Sequence, residues 1–251
     1  MKNRSRIRWG AFALALSAAL FAVWGLLHPV SSIDLSDTTA ASRSAVSTFQ
    51  FIADLSLLAA FTLLPLALLT IYDRVKATEA ERWGFVALVL MLLAVGPFLA
   101  GLGVALLAVP AAGEVVLRGG QGGQGGSDVL RAIFAGPLLP VTVVGIVLLT
   151  IGSITLAIAL WRARSLPRWA GLMYALGLAA VILLPVVANQ DLIQKVYRVL
   201  DGLLVGVAGL WLAWSIWREP MRQGAPGQTE AMYERGRIDR PQAAGTGGSR
   251  P

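Results

Sequence analysis

The 251-residue chain is 56% hydrophobic and only 14% charged, with a mean hydropathy of +0.69. That composition is too apolar for a water-soluble domain, in which about a quarter of residues are charged. The absence of cysteine excludes disulfides, thiolate nucleophiles and Cys-ligated metal centres, and the net charge of +7 is dispersed between apolar runs, so it offers no continuous basic face to nucleic acid.

A bilayer core about 30 Å thick is crossed by roughly 20 apolar residues in a helix. Six runs meet that length: about 9–30, 49–72, 83–112, 132–161, 169–188 and 199–217. Hydrocarbon cannot satisfy backbone polar groups, so spanning segments are helices or closed barrels. Runs such as FVALVLMLLAVGPFLAGLGVALLAV lack the two-residue alternation of barrel strands. The expected fold is therefore an all-α, polytopic bundle of six transmembrane helices over residues 1–218, followed by a tail over 219–251.

The first run follows the basic arm MKNRSRIR and resembles a secretory signal, but it is longer than the roughly 7–15 apolar residues of a signal core. It is expected to stay as the first span. His28 stands near its far end. The second run carries Asp54, the one ionisable residue placed well inside a span, about 7–8 Å along the helix from Phe49. Helical spacing puts Ser47, Gln50, Phe61 and Pro65 on the same face as Asp54, and that face should look into the bundle. The third and fourth runs exceed the hydrocarbon thickness by more than about 10 Å, so they should tilt or project. Pro97, Pro137 and Pro140 are the expected kink sites.

Between those two runs lies GGQGGQGG, residues 119–126. Without a following Lys and Ser or Thr at the spacing of a phosphate-binding loop, it reads as a flexible linker. The sixth run enters past Asn189, Gln190, Asp191, Lys195 and Arg198, expected in a short loop, and begins with Asp201. It then carries Gly202, Gly206 and Gly209, a small-residue strip suited to close helix packing. The tail has four prolines and six glycines and reads as disordered.

Positive residues are retained on the cytoplasmic side. Sixteen of the Lys and Arg residues fall on the flanks that carry the two termini and five on the opposite flanks, so both termini are expected in the cytoplasm of an inner (plasma) membrane. The string Arg8–Trp9–Gly10 returns as Arg82–Trp83–Gly84 and, more loosely, as Arg168 through Gly171. Two of the three returning spans end in the reverse order, at Trp161 with Arg162 and Trp217 with Arg218. Indole rings favour the interfacial layer and Arg the cytoplasmic side, which makes this pattern an anchor at the inner boundary. The surrounding stretch ALWRARSLPRWAGLMYALG, residues 159–177, resembles the cytoplasmic turn of small bacterial multi-pass inner-membrane proteins. That resemblance implies a bacterial membrane protein and supplies no activity and no site residues.

No nucleophile turn, Walker motif, HExxH zinc signature or other ligand spacing occurs, so neither catalytic residues, a metal nor a cofactor is expected. Asp54, Asp201, His28, Arg198 and Gln50 are the candidate ligand-binding residues, able to converge in an outer-leaflet polar pocket for a cation, a proton or an amine. In the alternative reading Asp54 is an interhelical tether held by Arg198 or a backbone group, and Asp201 and His28 are ordinary end residues in the interface. Two functions follow. One is a non-enzymatic membrane protein acting by association with partner proteins or with anionic lipids at the cytoplasmic face; the other is a small transporter or ligand- or proton-sensing protein built around Asp54.

Overall fold

The computed structural model describes residues 2–28, 42–43, 46–118, 128–129, 136, 138–187 and 191–222. Six long helices account for nearly all of them: α1 (Lys2–Leu27), α2 (Thr48–Val75), α3 (Glu81–Arg118), α4 (Leu138–Ala163), α5 (Arg168–Val187) and α6 (Asp191–Arg222). There is no strand among the described residues. Five of the helices are long and apolar enough over their described residues to cross a membrane, and α5, with 20 residues, is the sixth helix of comparable length. The glycine-rich segment and the tail beyond Arg222 lie outside the described residues.

The helices pack in chain order, each against the next, and α6 returns to lie along α1, closing a ring. α2 also touches α4 across it. The interior is filled by large side chains: Phe21, Phe61, Tyr174, Leu64, Met91, Leu149 and Leu212 are fully buried. Phe61 of α2 meets Phe21 of α1 and Phe98 of α3 at ring-centroid distances of 5.3 and 4.4 Å, which locks three helices at one level. Apolar side chains such as Leu55, Leu66, Leu93, Val144 and Val207 cover the outside. Such continuous outward apolar surface is what hydrocarbon accepts and water does not.

Several hydroxyls inside the helices are consumed locally. The hydroxyls of Ser56, Thr70, Thr150 and Thr155 each donate to the carbonyl four residues back. This is how a short polar side chain is tolerated where water is absent. Ser17 instead donates from α1 to the Ala60 carbonyl of α2 at 3.0 Å, and Arg74 of α2 donates to the Ile216 carbonyl of α6 at 3.2 Å.

The helix bounds differ from the apolar runs at several ends: α1 begins at Lys2 rather than near residue 9 and α4 at Leu138 rather than near residue 132. α6 begins at Asp191 rather than near residue 199, so Lys195 and Arg198 stand on a helix and not in a loop. α3 runs unbroken for 38 residues through Pro97 and Pro110, about 57 Å at a rise of 1.5 Å per residue and far beyond the hydrocarbon thickness. Pro140 sits in the first turn of α4, where no helical N–H is lost, and Pro137 lies outside the described residues.

The recurring Arg–Trp–Gly string acquires a second meaning in three dimensions. All of its copies lie at one end of the bundle, and the arginine of one helix stacks on the indole of its neighbour. Arg8 of α1 lies over Trp217 of α6 at 5.9 Å, Arg162 of α4 over Trp83 of α3 at 5.4 Å, and Arg168 of α5 over Trp161 of α4 at 5.8 Å. The glycines are points of close approach. A Cβ at Gly84 would sit 2.8 Å from Val75 Cγ1, and one at Gly171 would sit 2.9 Å from Leu160 Cβ.

Candidate functional site

At the end of the bundle opposite the Arg–Trp pairs, three helices bring polar side chains together. α1 ends at Leu27, and the His28 N–H still bonds to the Trp24 carbonyl at 2.9 Å, so the imidazole is held at the helix terminus. α2 starts with Ser47 as its N-cap, the hydroxyl accepting from the Gln50 N–H at 3.1 Å. One turn on, the Gln50 amide donates to Asp54 Oδ2 at 2.8 Å. Asp54 Oδ1 stands 3.7 Å from His28 Nδ1, beyond hydrogen-bond length. Asp54 is 9% exposed. Arg198, reaching from α6, interacts electrostatically with both Asp54 and His28.

The structure thus brings together four of the five candidate residues: His28, Gln50, Asp54 and Arg198. It leaves Asp201 apart. Asp201 is buried three residues beyond Arg198, and its Oδ1 lies beside Gly177 of α5, where a Cβ would meet it at 3.6 Å. It has no electrostatic partner among the described residues, and its Oδ2 has no hydrogen-bond partner. A three-residue step turns a side chain by about 60 degrees the other way round the helix, which directs one residue to α1 and α2 and the next to α5.

Two residues belong to this site that sequence reasoning passed over. Trp24 lies one turn before His28, with ring centroids 5.5 Å apart; the i, i+4 spacing is the signal that links them. Gly25 is the second. A Cβ there would sit 2.7 Å from the Arg198 carbonyl oxygen and 2.9 Å from Gly202 Cα, so the backbone of α6 reaches the histidine only because both positions are glycine. The rest of the α6 strip follows the same path, Gly206 lying against Ala22 and Gly209 against Ala18 and Tyr174. All three glycines of the strip are therefore used within the chain.

Chemically, Asp54 Oδ2 accepts from Gln50, and Oδ1 lies 3.7 Å from His28 Nδ1. Around Asp54 the buried side-chain atoms without a hydrogen-bond partner among the described residues are nitrogens: Trp24 Nε1, His28 Nδ1, and Arg198 Nε and Nη1. Such a set suits an acceptor better than a cation or an amine. No group of three or more His, Asp or Glu residues gathers at metal-binding distance among the described residues.

The class that fold and site define is an all-helical protein with five to six helices long and apolar enough to span a membrane. No protein-family model, curated protein or solved structure matches the chain.

Proposed function

We propose that this is a non-enzymatic integral membrane protein that acts by association with partner proteins or lipids, with six spans and both termini in the cytoplasm. In this reading the cluster around Asp54 is a clasp joining α1, α2 and α6 at the outer leaflet. The observation that carries it is that the buried Asp54 of α2, whose Oδ2 accepts from Gln50, faces the Arg198 guanidinium of α6. A buried carboxylate that faces a cation of another helix holds the two helices together. The strip Gly202, Gly206 and Gly209 is covered by α1, which leaves the Arg–Trp end and the tail as the surfaces for association.

Asp54→Asn tests the clasp. Loss of the charge that faces His28 and Arg198 lowers bundle stability by about 1–3 kcal/mol, the range for hydrogen bonds and pairs involving a charged partner. A variant of unchanged stability removes the clasp, and co-purification from native membrane without any specific protein or lipid removes the association reading.

The second reading, a ligand- or proton-sensing protein or small transporter with an outer-leaflet pocket around Asp54, is supported by the unpartnered nitrogens of Trp24, His28 and Arg198. It predicts that Asp54→Asn leaves the fold stable and abolishes a response or uptake.

A further inference from the structure

The Arg–Trp end of the bundle holds a cleft of about 710 Å³ between the α2–α3 turn and the α4–α5 turn. Its polar lining is Thr78, Glu79, Arg162, Arg164 and Arg168, with Trp161 on one wall. Three guanidiniums against one carboxylate leave a surplus of two positive charges. None of the three arginines forms an ion pair among the described residues.

Both walls are preformed. Thr78 ties the first turn, its hydroxyl donating to the Val75 carbonyl at 2.7 Å and accepting from the Ala80 N–H at 3.2 Å. The second turn is pinned by Leu166, which is 5% exposed and packs in the core. Trp83 and Trp161 carry Arg162 and Arg168 on their faces, and a guanidinium stacked in this way keeps its in-plane N–H groups for an oxyanion.

Arg164 supplies an independent observation. It follows the last residue of α4 and has φ of 53°, the left-handed conformation at which helices usually place glycine. A side chain is retained where its absence would relax the backbone, and that side chain lines the cleft. The level of the cleft decides between a soluble and a membrane-borne anion. Trp83, Trp161 and Trp169 beside it are 40%, 42% and 62% exposed, and exposed indoles at the end of an apolar bundle mark the headgroup layer.

We propose that this cleft binds the phosphate headgroup of an anionic phospholipid, and a headgroup with two negative charges in preference to one with a single charge. Arg162, Arg164 and Arg168 donate to the phosphate oxygens, and Glu79 limits the site to the surplus charge it leaves. The inference rests on the association reading, for which it names a lipid and a place.

The test uses the full chain in phosphatidylcholine nanodiscs doped with cardiolipin or, at equal total negative charge, with phosphatidylglycerol, and reads equilibrium retention of the labelled anionic lipid. Arg164→Gly is the decisive variant, because it removes a ligand while relieving the backbone and so leaves thermal stability equal or higher. The expected result is cardiolipin bound more tightly than phosphatidylglycerol, with affinity reduced about tenfold in Arg164→Gly and in Arg162→Gln, and unchanged in Arg218→Gln, which stacks on Trp214 of its own helix outside the cleft. Equal loss in Arg218→Gln, or no loss in Arg164→Gly, overturns the site. Soluble pyrophosphate that binds as tightly as the lipid, with the same dependence on Arg164, overturns the membrane source. A specific partner protein that co-purifies equally with wild type and Arg164→Gly keeps the association reading alive even when the lipid site fails.

Discussion

Replacing Gly25 by alanine adds a single methyl group at the closest approach of α1 and α6. The new Cβ would lie 2.7 Å from the Arg198 carbonyl oxygen, 2.9 Å from Gly202 Cα and 3.3 Å from Gly202 N. Non-bonded carbon atoms rest about 3.5–4.0 Å apart, so the helices must separate by roughly 0.5–1 Å, and a gap of that size forfeits a quarter to a half of each dispersion contact along the seam. Every obstructing atom is backbone, which no rotamer change can move aside. Overpacking of this kind costs about 1–3 kcal/mol, and the better helix propensity of alanine offsets about 1 kcal/mol of it. The net loss should be up to about 2 kcal/mol. Gly202→Ala, whose Cβ would meet Gly25 Cα at 2.8 Å and the Phe21 carbonyl at 3.0 Å, should cost a similar amount. One separation relieves both clashes, so the double variant should lose less than the sum. At Gly96 and Gly103 an added Cβ would meet nothing within 4 Å, and alanine there should be neutral or stabilising by up to about 1 kcal/mol. Reversible unfolding of the four single variants and the double in mixed micelles reads all of this. A Gly25→Ala protein as stable as Gly96→Ala would refute the close-packed seam, and strict additivity would refute the shared separation.

Other variants examine separate parts of the bundle by the same measurement. Phe61→Ala removes the ring between Phe21 and Phe98, and should cost near the lower end of about 3–5 kcal/mol, because lipid supplies less transfer energy than water while the cavity remains. Asp201→Asn should leave stability unchanged or raise it by about 1 kcal/mol, since the carboxylate is buried without a cationic partner among the described residues; a clear loss would mean that Asp201 is paired. A double-mutant cycle on Arg8→Gln and Trp217→Ala should return a coupling of about 0.5–1 kcal/mol, and a coupling of zero would reduce the Arg–Trp pattern to independent anchors. Thr155→Val should be close to neutral, because the hydroxyl bonds only to the Ile151 carbonyl of its own helix.

The features legible in the sequence are those fixed by the solvent. Apolar length sets the helices, and the desolvation cost of a carboxylate marks Asp54 as an inward residue with a partner. The features that stay hidden depend on which helix faces which. The strip Gly202, Gly206 and Gly209 can be read as small, yet its counterpart on α1, formed by Ala18, Ala22 and Gly25, gains meaning only when α6 is known to return to α1. Asp201 reads as a neighbour of Asp54 because both lie near the same end of their helices. Depth along a helix is readable, but azimuth is not, since the rotation of α6 is set by the Gly25–Gly202 approach and that places Arg198 toward Asp54 and Asp201 toward Gly177. The glycines of the Arg–Trp–Gly string are hidden for the same reason. The partners of Gly84 and Gly171, Val75 and Leu160, belong to the preceding helix of each turn.

The two ends of the bundle solve one problem in opposite ways. Where Asp54, Gln50, His28 and Arg198 meet, charged groups of opposite sign are turned inward toward one another, which costs desolvation and fixes the helix positions. Where Arg8, Arg162 and Arg168 stack on indoles, each guanidinium is held by a ring face and keeps hydrogen-bonding capacity in its own plane. A protein that acts by association needs its available donors on the side from which the partner comes, and Arg162, Arg164 and Arg168, none of them in an ion pair among the described residues, line the cleft at the stacked end.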